Sequence, residues 1–439
     1  MNKKVLRSIG MSLLLPLLLS GCGEMTEQIE ITLVLGTFGE NPVLLQQVEV
    51  FEEAHPGYKI EIRTYNRFEQ EEGDGIARLQ REIVSGQGPD IINFGYGYSV
   101  TDILGKYTED LFPYFEKSAE EDAYFGNVLQ AFSYQEGLYA MPVSFSLKTF
   151  VGRKSLVGER ESWSIDELIG CYETEREKSG GSLLLYPGEI KKDVFGTIIT
   201  GNVESFVDWE QKTCRFDEEE FIKVMEFAGG FPDTLMITED FSPMECFGNG
   251  GALLYPMILS SVYDICKAEL ILKEEPVYIG YPVNGDDGTV IQASELMLAI
   301  SGVSEHKEVA WDFLCQFLSE EYQKEITAGF PVNRAALEYQ LEQGKSMEYS
   351  VDEEGKMKPV AQDEILFEGE EPLEIYQITE AEGDALRALI ERASIASAYD
   401  DRLHRILLEE VDSYFCGDKT AQQAAEVMQG RAEMYIGEF

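Results

Sequence analysis

Histidine is scarce in this chain: only His55, His306 and His404 occur, far apart in sequence. None stands at ligand spacing from a cysteine or another histidine, so no zinc site is expected. Cys-x-x-Cys pairs are missing too, and no metal or cofactor is called for. Positive charge is scarce as well. Lys and Arg number 35 against 81 Asp and Glu, for a net charge of −46. Such a surface repels phosphate backbones and anionic headgroups, which excludes a nucleic acid partner. It says little about cargo, because most of these carboxylates are solvated. Beyond the N-terminal segment no apolar run is long enough to cross a bilayer. There is no Gly-x-Ser-x-Gly elbow and no phosphate-cradling Gly-rich loop ending in Lys-Ser or Lys-Thr. No pair among the many carboxylates is singled out for glycoside hydrolysis. Enzyme chemistry is therefore not expected.

What is present begins at the N-terminus. Lys3, Lys4 and Arg7 precede an apolar stretch from Ile9 to Leu19, followed by Leu19-Ser20-Gly21-Cys22. The stretch is too short for a stable membrane span, and Ser20 and Gly21 are small enough for a signal peptidase. The ending resembles a bacterial lipobox. Residues 1–21 then read as a lipoprotein signal peptide, Cys22 as the lipidated residue and 22–28 as a polar tether. Two acyl chains on one cysteine hold a soluble domain at a membrane, here on the extracytoplasmic face. The other six cysteines, an even number, leave disulfides open, although a chain this long does not need them.

At 439 residues the chain is too long for one compact core and suits two lobes. Ile29 to Leu35 alternates as a strand does. Asn41 caps a helix with Pro42 at its first position and Leu44, Val48 and Phe51 on its buried face. Ile60 and Ile62 follow at strand spacing, then a helix faced by Ile76, Leu79 and Ile83, then a buried strand from Asp90 to Phe94. Strand, helix, strand, helix, strand predicts a parallel sheet covered by helices. Further on, Ser164 and Glu167 form a capping box, Phe221, Val224, Met225 and Ala228 share a helix face, and Thr420 with Gln423 caps the last helix. Residues 338–376 are charged and weakly periodic, which predicts a surface excursion.

Several segments, in order, resemble the large bacterial extracellular solute-binding proteins of ABC importers, the group that contains maltose-binding protein. They are Arg78 to Ile83 with Gly88-Pro89-Asp90-Ile91-Ile92; Gly137-Leu138-Tyr139-Ala140-Met141-Pro142-Val143; Trp163 to Leu168; and Val207-Asp208-Trp209 with Phe216-Asp217. Phe247 to Leu254, Ala310 to Leu314, Gly329-Phe330-Pro331-Val332-Asn333 and Phe415 to Thr420 complete the series. The resemblance implies an α/β, two-lobed periplasmic-binding-protein-like fold of the class II type, with the ligand in an interlobe cleft. It places 25–142 plus 295–333 in lobe 1 and 143–294 plus 334–439 in lobe 2. It further implies a monomeric, lipid-anchored protein that captures a carbohydrate, expected to be an oligosaccharide, and delivers it to permease subunits in the membrane. A peptide or other polar solute is the alternative cargo. A surface glycan-degrading lipoprotein is the alternative of a different class.

Open α/β sheets bind ligands at the loops after their parallel strands. Phe38 and Glu40 lie in the loop after the first strand, and Phe94 and Tyr96 in a later one. Ser144 and Phe145 sit at the inferred first crossing between lobes and Glu295 near the second. Tyr186 and Tyr255 match positions where the family places cleft aromatics, and Tyr255 is expected to project from the end of a strand, Ala252 to Leu254. All three tryptophans, Trp163, Trp209 and Trp311, fall at positions that look structural, which weakens the case for a long α-glucan.

Overall fold

The computed structural model describes residues 31–65, 75–95, 103–117, 121–134, 136–209, 211–235, 241–283, 287–294, 296–352, 354–366, 371–396 and 401–437. The expectations for Cys22, the signal segment, Tyr96 and Glu295 lie outside them.

The first sheet begins with β1 (Ile31–Thr37), whose Leu33 and Leu35 are fully buried. Helix α1 (Pro42–Ala54) follows, and the Asn41 side chain accepts hydrogen bonds from Val43 N and Leu44 N. These satisfy two otherwise unpaired N–H groups at the helix start. β2 (Tyr58–Thr64) pairs parallel with β1 on one side, and β3 (Ile91–Asn93) pairs parallel on the other after helix α2 (Gly75–Val84). Gly88, just before β3, has no room for a Cβ, which would lie 2.9 Å from Ile83 Cα. Asp90 accepts from Val34 N at 2.8 Å and from Ser304 Oγ at 2.6 Å, which fixes where β3 starts. The strand Met297–Ile300 joins antiparallel to β3, and β4 (Met141–Pro142) pairs with it. Strand order is thus β2, β1, β3, Met297–Ile300, β4. Helices cover both faces: Phe51 of α1 meets Phe313 edge-on at 5.5 Å, while Leu79 and Ile83 of α2 pack with Ile92 on the other side.

The second sheet is built on β5 (Ser144–Arg153). One edge of β5 pairs with Phe330–Pro331 and Leu254–Leu259, the other with Val290–Ala293 and Pro276–Tyr278. Helices Ile165–Lys178, Lys191–Thr200, Glu219–Gly229, Asp401–Phe415 and Ala421–Ile436 enclose a separate core beside it. Both expected capping boxes, at Ser164 and Thr420, are formed, and a third stands at Thr379. Trp163 and Trp311 are buried and Trp209 packs partly buried against this second core. Residues 338–376 run through the end of helix Arg334–Gly344 and two small hairpins. Tyr349–Val351 with Met357–Pro359 is exposed throughout, whereas the next pair buries Ile365 and Ile375. No two cysteines among the described residues are joined by a disulfide.

The two sheets are joined where the chain passes from β4 through Val143 into β5 and returns from Val290–Ala293 into Met297–Ile300. These two passages run side by side. Ser294 N donates to Ser144 O at 2.9 Å and Val143 N to Leu296 O at 3.1 Å. Gln323, fully buried, clamps the junction. Its Nε2 donates to Val143 O (2.9 Å) and Phe317 O (2.6 Å), and its Oε1 accepts from Asn333 N (3.1 Å). Gly329, at φ +88°, lies so near that a Cβ would meet Phe145 O at 2.7 Å. A side chain there would have to push the passages apart, in a backbone region that disfavours one anyway.

Candidate functional site

β1, β3 and β4 all run in one direction, so their carboxyl ends share one edge of the first sheet. β5 leaves from that edge. The loops after β1 and β3 therefore face the first residues of β5, at the reversal where open α/β sheets place ligands.

On the first sheet this edge is held by buried polar groups. Asn93 Nδ2 donates to Thr37 Oγ1 at 3.2 Å, while its Oδ1 accepts from Gly95 N at 3.1 Å and Met297 N at 3.2 Å. Three strands are tied by one side chain, and sequence reasoning missed it. Phe38 is half-buried, its ring 5.8 Å from Tyr65, and Glu40 is exposed. Phe94 is different. Its ring is fully buried with Leu79, Ile83 and Ile103, because α2 roofs that face of β3. It is a core residue, which corrects the expectation of a ring offered to ligand.

On the second sheet strand alternation sorts the candidates. Ser144, Ser146, Lys148 and Phe150 point to one face of β5; Phe145, Leu147, Thr149 and Val151 point to the other. Phe145 is fully buried, edge-on to Phe125 at 6.3 Å and 5.8 Å from Phe330. It too belongs to the core. Tyr255 sits directly opposite Val151, on that same core side, and stacks on Phe247 at 5.2 Å. The expectation that it projects from a strand end fails because Leu254–Leu259 is itself the strand and Tyr255 its second residue. Its ring and the Ser144–Lys148 face lie on opposite sides of the sheet.

Ser144 and Ser146 do lie on the face next to the crossing, but both are buried there, and Ser144 Oγ donates to Ala328 O at 3.3 Å. Further along that face, Phe150 has Tyr186 stacked on it at 5.8 Å and Tyr281 edge-on at 4.9 Å. Tyr186 is mostly buried, its hydroxyl 3.5 Å from Thr197 Oγ1, so it shares the sheet face with Ser144 but shows little ring. Its backbone is held by Glu189. That carboxylate accepts from Leu185 N and from Tyr186 N (3.1 Å), and burial pushes it up to about 7 despite both bonds.

Thus the geometry brings Ser144 toward the edge that carries Phe38 and Glu40, sets Tyr186 deeper on the same face, buries Phe94 and Phe145 in the core, and turns the partly buried Tyr255 to the opposite side of the second sheet. Sequence reasoning also missed Lys148 and Gln292. A lysine inside the run Ser144-Phe145-Ser146-Leu147-Lys148, just past the crossing, was the available signal.

Comparisons with known proteins give the same architecture. Residues 39–324 match the model of the bacterial extracellular solute-binding proteins, well over half of the chain. The chain belongs to that family. A periplasmic oligogalacturonide-binding protein from Yersinia enterocolitica is similar over 93% of this chain and 99% of its own, with a TM-score of 0.59 at 18% identity. The sugar-binding protein MalE from Xanthomonas citri is similar over 93% and 98%, with a TM-score of 0.58 at 14% identity. A family 1 solute-binding protein from Alicyclobacillus acidocaldarius is similar over 92% and 98%, with a TM-score of 0.55 at 16% identity. At these identities the likeness establishes the two-lobed fold alone. No curated protein sequence matches the chain. Among the described residues no helix is long and apolar enough to cross a membrane, and no group of His, Cys, Asp and Glu is placed to hold a metal ion.

Proposed function

We propose that this solute-binding protein is the capture component of an ABC importer and takes a carbohydrate, an oligosaccharide, reversibly between its two lobes. The observation that carries the reading is the side-by-side passage of two chain segments between the sheets, β4 into β5 and Val290–Ala293 into Met297–Ile300, clamped by Gln323. Two bodies joined at a hydrogen-bonded crossing can close on a ligand as a hinge. That the sugar-binding protein MalE and the oligogalacturonide-binding protein share this fold supports a sugar as cargo. The lobes are taken as 25–142 plus 295–333 and 143–294 plus 334–439, with Phe330–Pro331 reassigned to the second because it pairs with β5.

Ligand contact is assigned to Phe38, Glu40, Ser144 and Ser146, with Tyr186 behind them, and on the sequence expectation alone to Tyr96 and Glu295. The protein does no chemistry on the ligand, acts as a monomer, is anchored through lipid on Cys22 and hands its cargo to membrane permease subunits. A thermal-shift screen of sugars and peptides tests this. A true ligand at about 100 times its dissociation constant adds ~2.7 kcal/mol of stability by mass action. Steady product release from an oligosaccharide refutes the capture reading, and stabilisation by peptides alone refutes the sugar.

A further inference from the structure

In a chain this acidic, a lysine ordinarily finds a carboxylate. Among the described residues, Lys106, Lys117, Lys148, Lys212 and Lys273 make no ion pair, and of these Lys148 alone is not exposed. It lies on β5, on the face that carries Ser144 and Ser146, flanked by Val290 on one neighbouring strand and Ile258 on the other. Ile258 is 57% exposed, so this face opens to solvent beside the lysine rather than closing under a helix. Opposite Ser146 stands Gln292, whose Oε1 is buried without a hydrogen-bond donor. Phe150, with Tyr186 and Tyr281 against it, continues the face as an apolar floor.

Removing an ammonium from water without a counter-charge costs free energy, and a buried acceptor without a donor adds a further, smaller cost. Burial does push Lys148 below the usual lysine range, with no carboxylate to offset it. Both deficits are cured by one kind of molecule: an oxyanion for Lys148 on a body that also offers a hydroxyl donor to Gln292.

We propose that the captured carbohydrate is anionic and that Lys148 binds its charged group, a carboxylate or a phosphate, while Gln292 accepts from a neighbouring hydroxyl. This rests on the capture reading above. The test is calorimetry on the full mature protein and on Lys148→Met and Lys148→Arg, with three probes: uronic acid oligosaccharides, sugar phosphates and the matched neutral oligosaccharides. The anionic group that binds identifies itself as carboxylate or phosphate. Expected is binding of an acidic probe at least about tenfold tighter than its neutral match, lost in Lys148→Met and partly restored in Lys148→Arg. The melting temperature of unliganded Lys148→Met should not fall, which separates lost binding from lost folding. Neutral sugars binding equally to wild type and Lys148→Met, with acidic probes no tighter, overturn the anionic cargo and leave capture standing. Acidic probes binding equally to both proteins overturn the assignment of Lys148. Binding by none of the probes overturns the inference together with the sugar reading.

Discussion

Along β5, Phe145, Leu147, Thr149 and Val151 stand on one side, and Ser144, Ser146, Lys148 and Phe150 on the other. The first side is continuous with the core that runs from the first sheet through the crossing, and Leu147 faces Leu259 and Ile291 in it. The second side changes character along its length. It is polar for its first three residues, next to the crossing, and apolar from Phe150 onward, where Tyr186 and Tyr281 pack on it. One strand therefore serves two purposes by alternation alone. The polar residues are concentrated where the two sheets meet, which is where a ligand gripped by both lobes has to lie.

The comparison is broken most severely by neighbouring substitutions of opposite face. Phe145→Ala should cost ~3–5 kcal/mol of folding stability, since it removes a fully buried ring and leaves a cavity. Ser146→Ala, one residue on, should cost under ~1 kcal/mol and show instead in ligand affinity. Urea unfolding of both, with calorimetry, measures the contrast; equal stability losses would erase the distinction between the faces.

A second test concerns the support behind Tyr186. Glu189 rises from its ordinary value of 4.5 to about 7 in the folded protein because it is buried. A carboxyl raised on folding binds more protons in the native state, so its contribution is fully present below about 4.5. It is lost as pH rises to about 7 and stays constant above that. Glu189→Gln cannot titrate. Its stability relative to wild type should therefore improve between pH 4.5 and 7, by up to ~3 kcal/mol. Denaturant midpoints across that window check the sign; a difference independent of pH would mean Glu189 is charged throughout.

Smaller still is the expected loss for Tyr255→Ala, about 1–2 kcal/mol of folding stability with ligand affinity unchanged. Its ring is only partly buried, on Phe247. Melting and calorimetry on one variant decide it, and an affinity loss without destabilisation would return Tyr255 to the ligand.

Much of the fold was legible in the sequence because the signals were local. Asn41 before Pro42, the Leu44, Val48 and Phe51 spacing, and the boxes at Ser164 and Thr420 each state their own geometry. Ser144 could be placed at the crossing through the family resemblance. What misled was the direction of single rings. The sequence pattern puts Tyr255 after a strand ending at Leu254, whereas pairing begins there, and in a period-two element such a shift decides which face a side chain joins. Phe94 follows β3 directly, and nothing local says that Leu79, Ile83 and Ile103 will cover it. Asn93 and Gln323 act through partners far along the chain, at Thr37 and Met297 for the first and Val143 for the second. No spacing rule reports such bonds.

The central claim is that ligand is held between the two lobes and draws them together about the clamped crossing. Small-angle scattering on the mature protein, alone and with whichever sugar most raises its melting temperature, tests that directly. The radius of gyration should fall on saturation. Saturable binding with an unchanged radius of gyration would contradict it and put the ligand on one lobe alone.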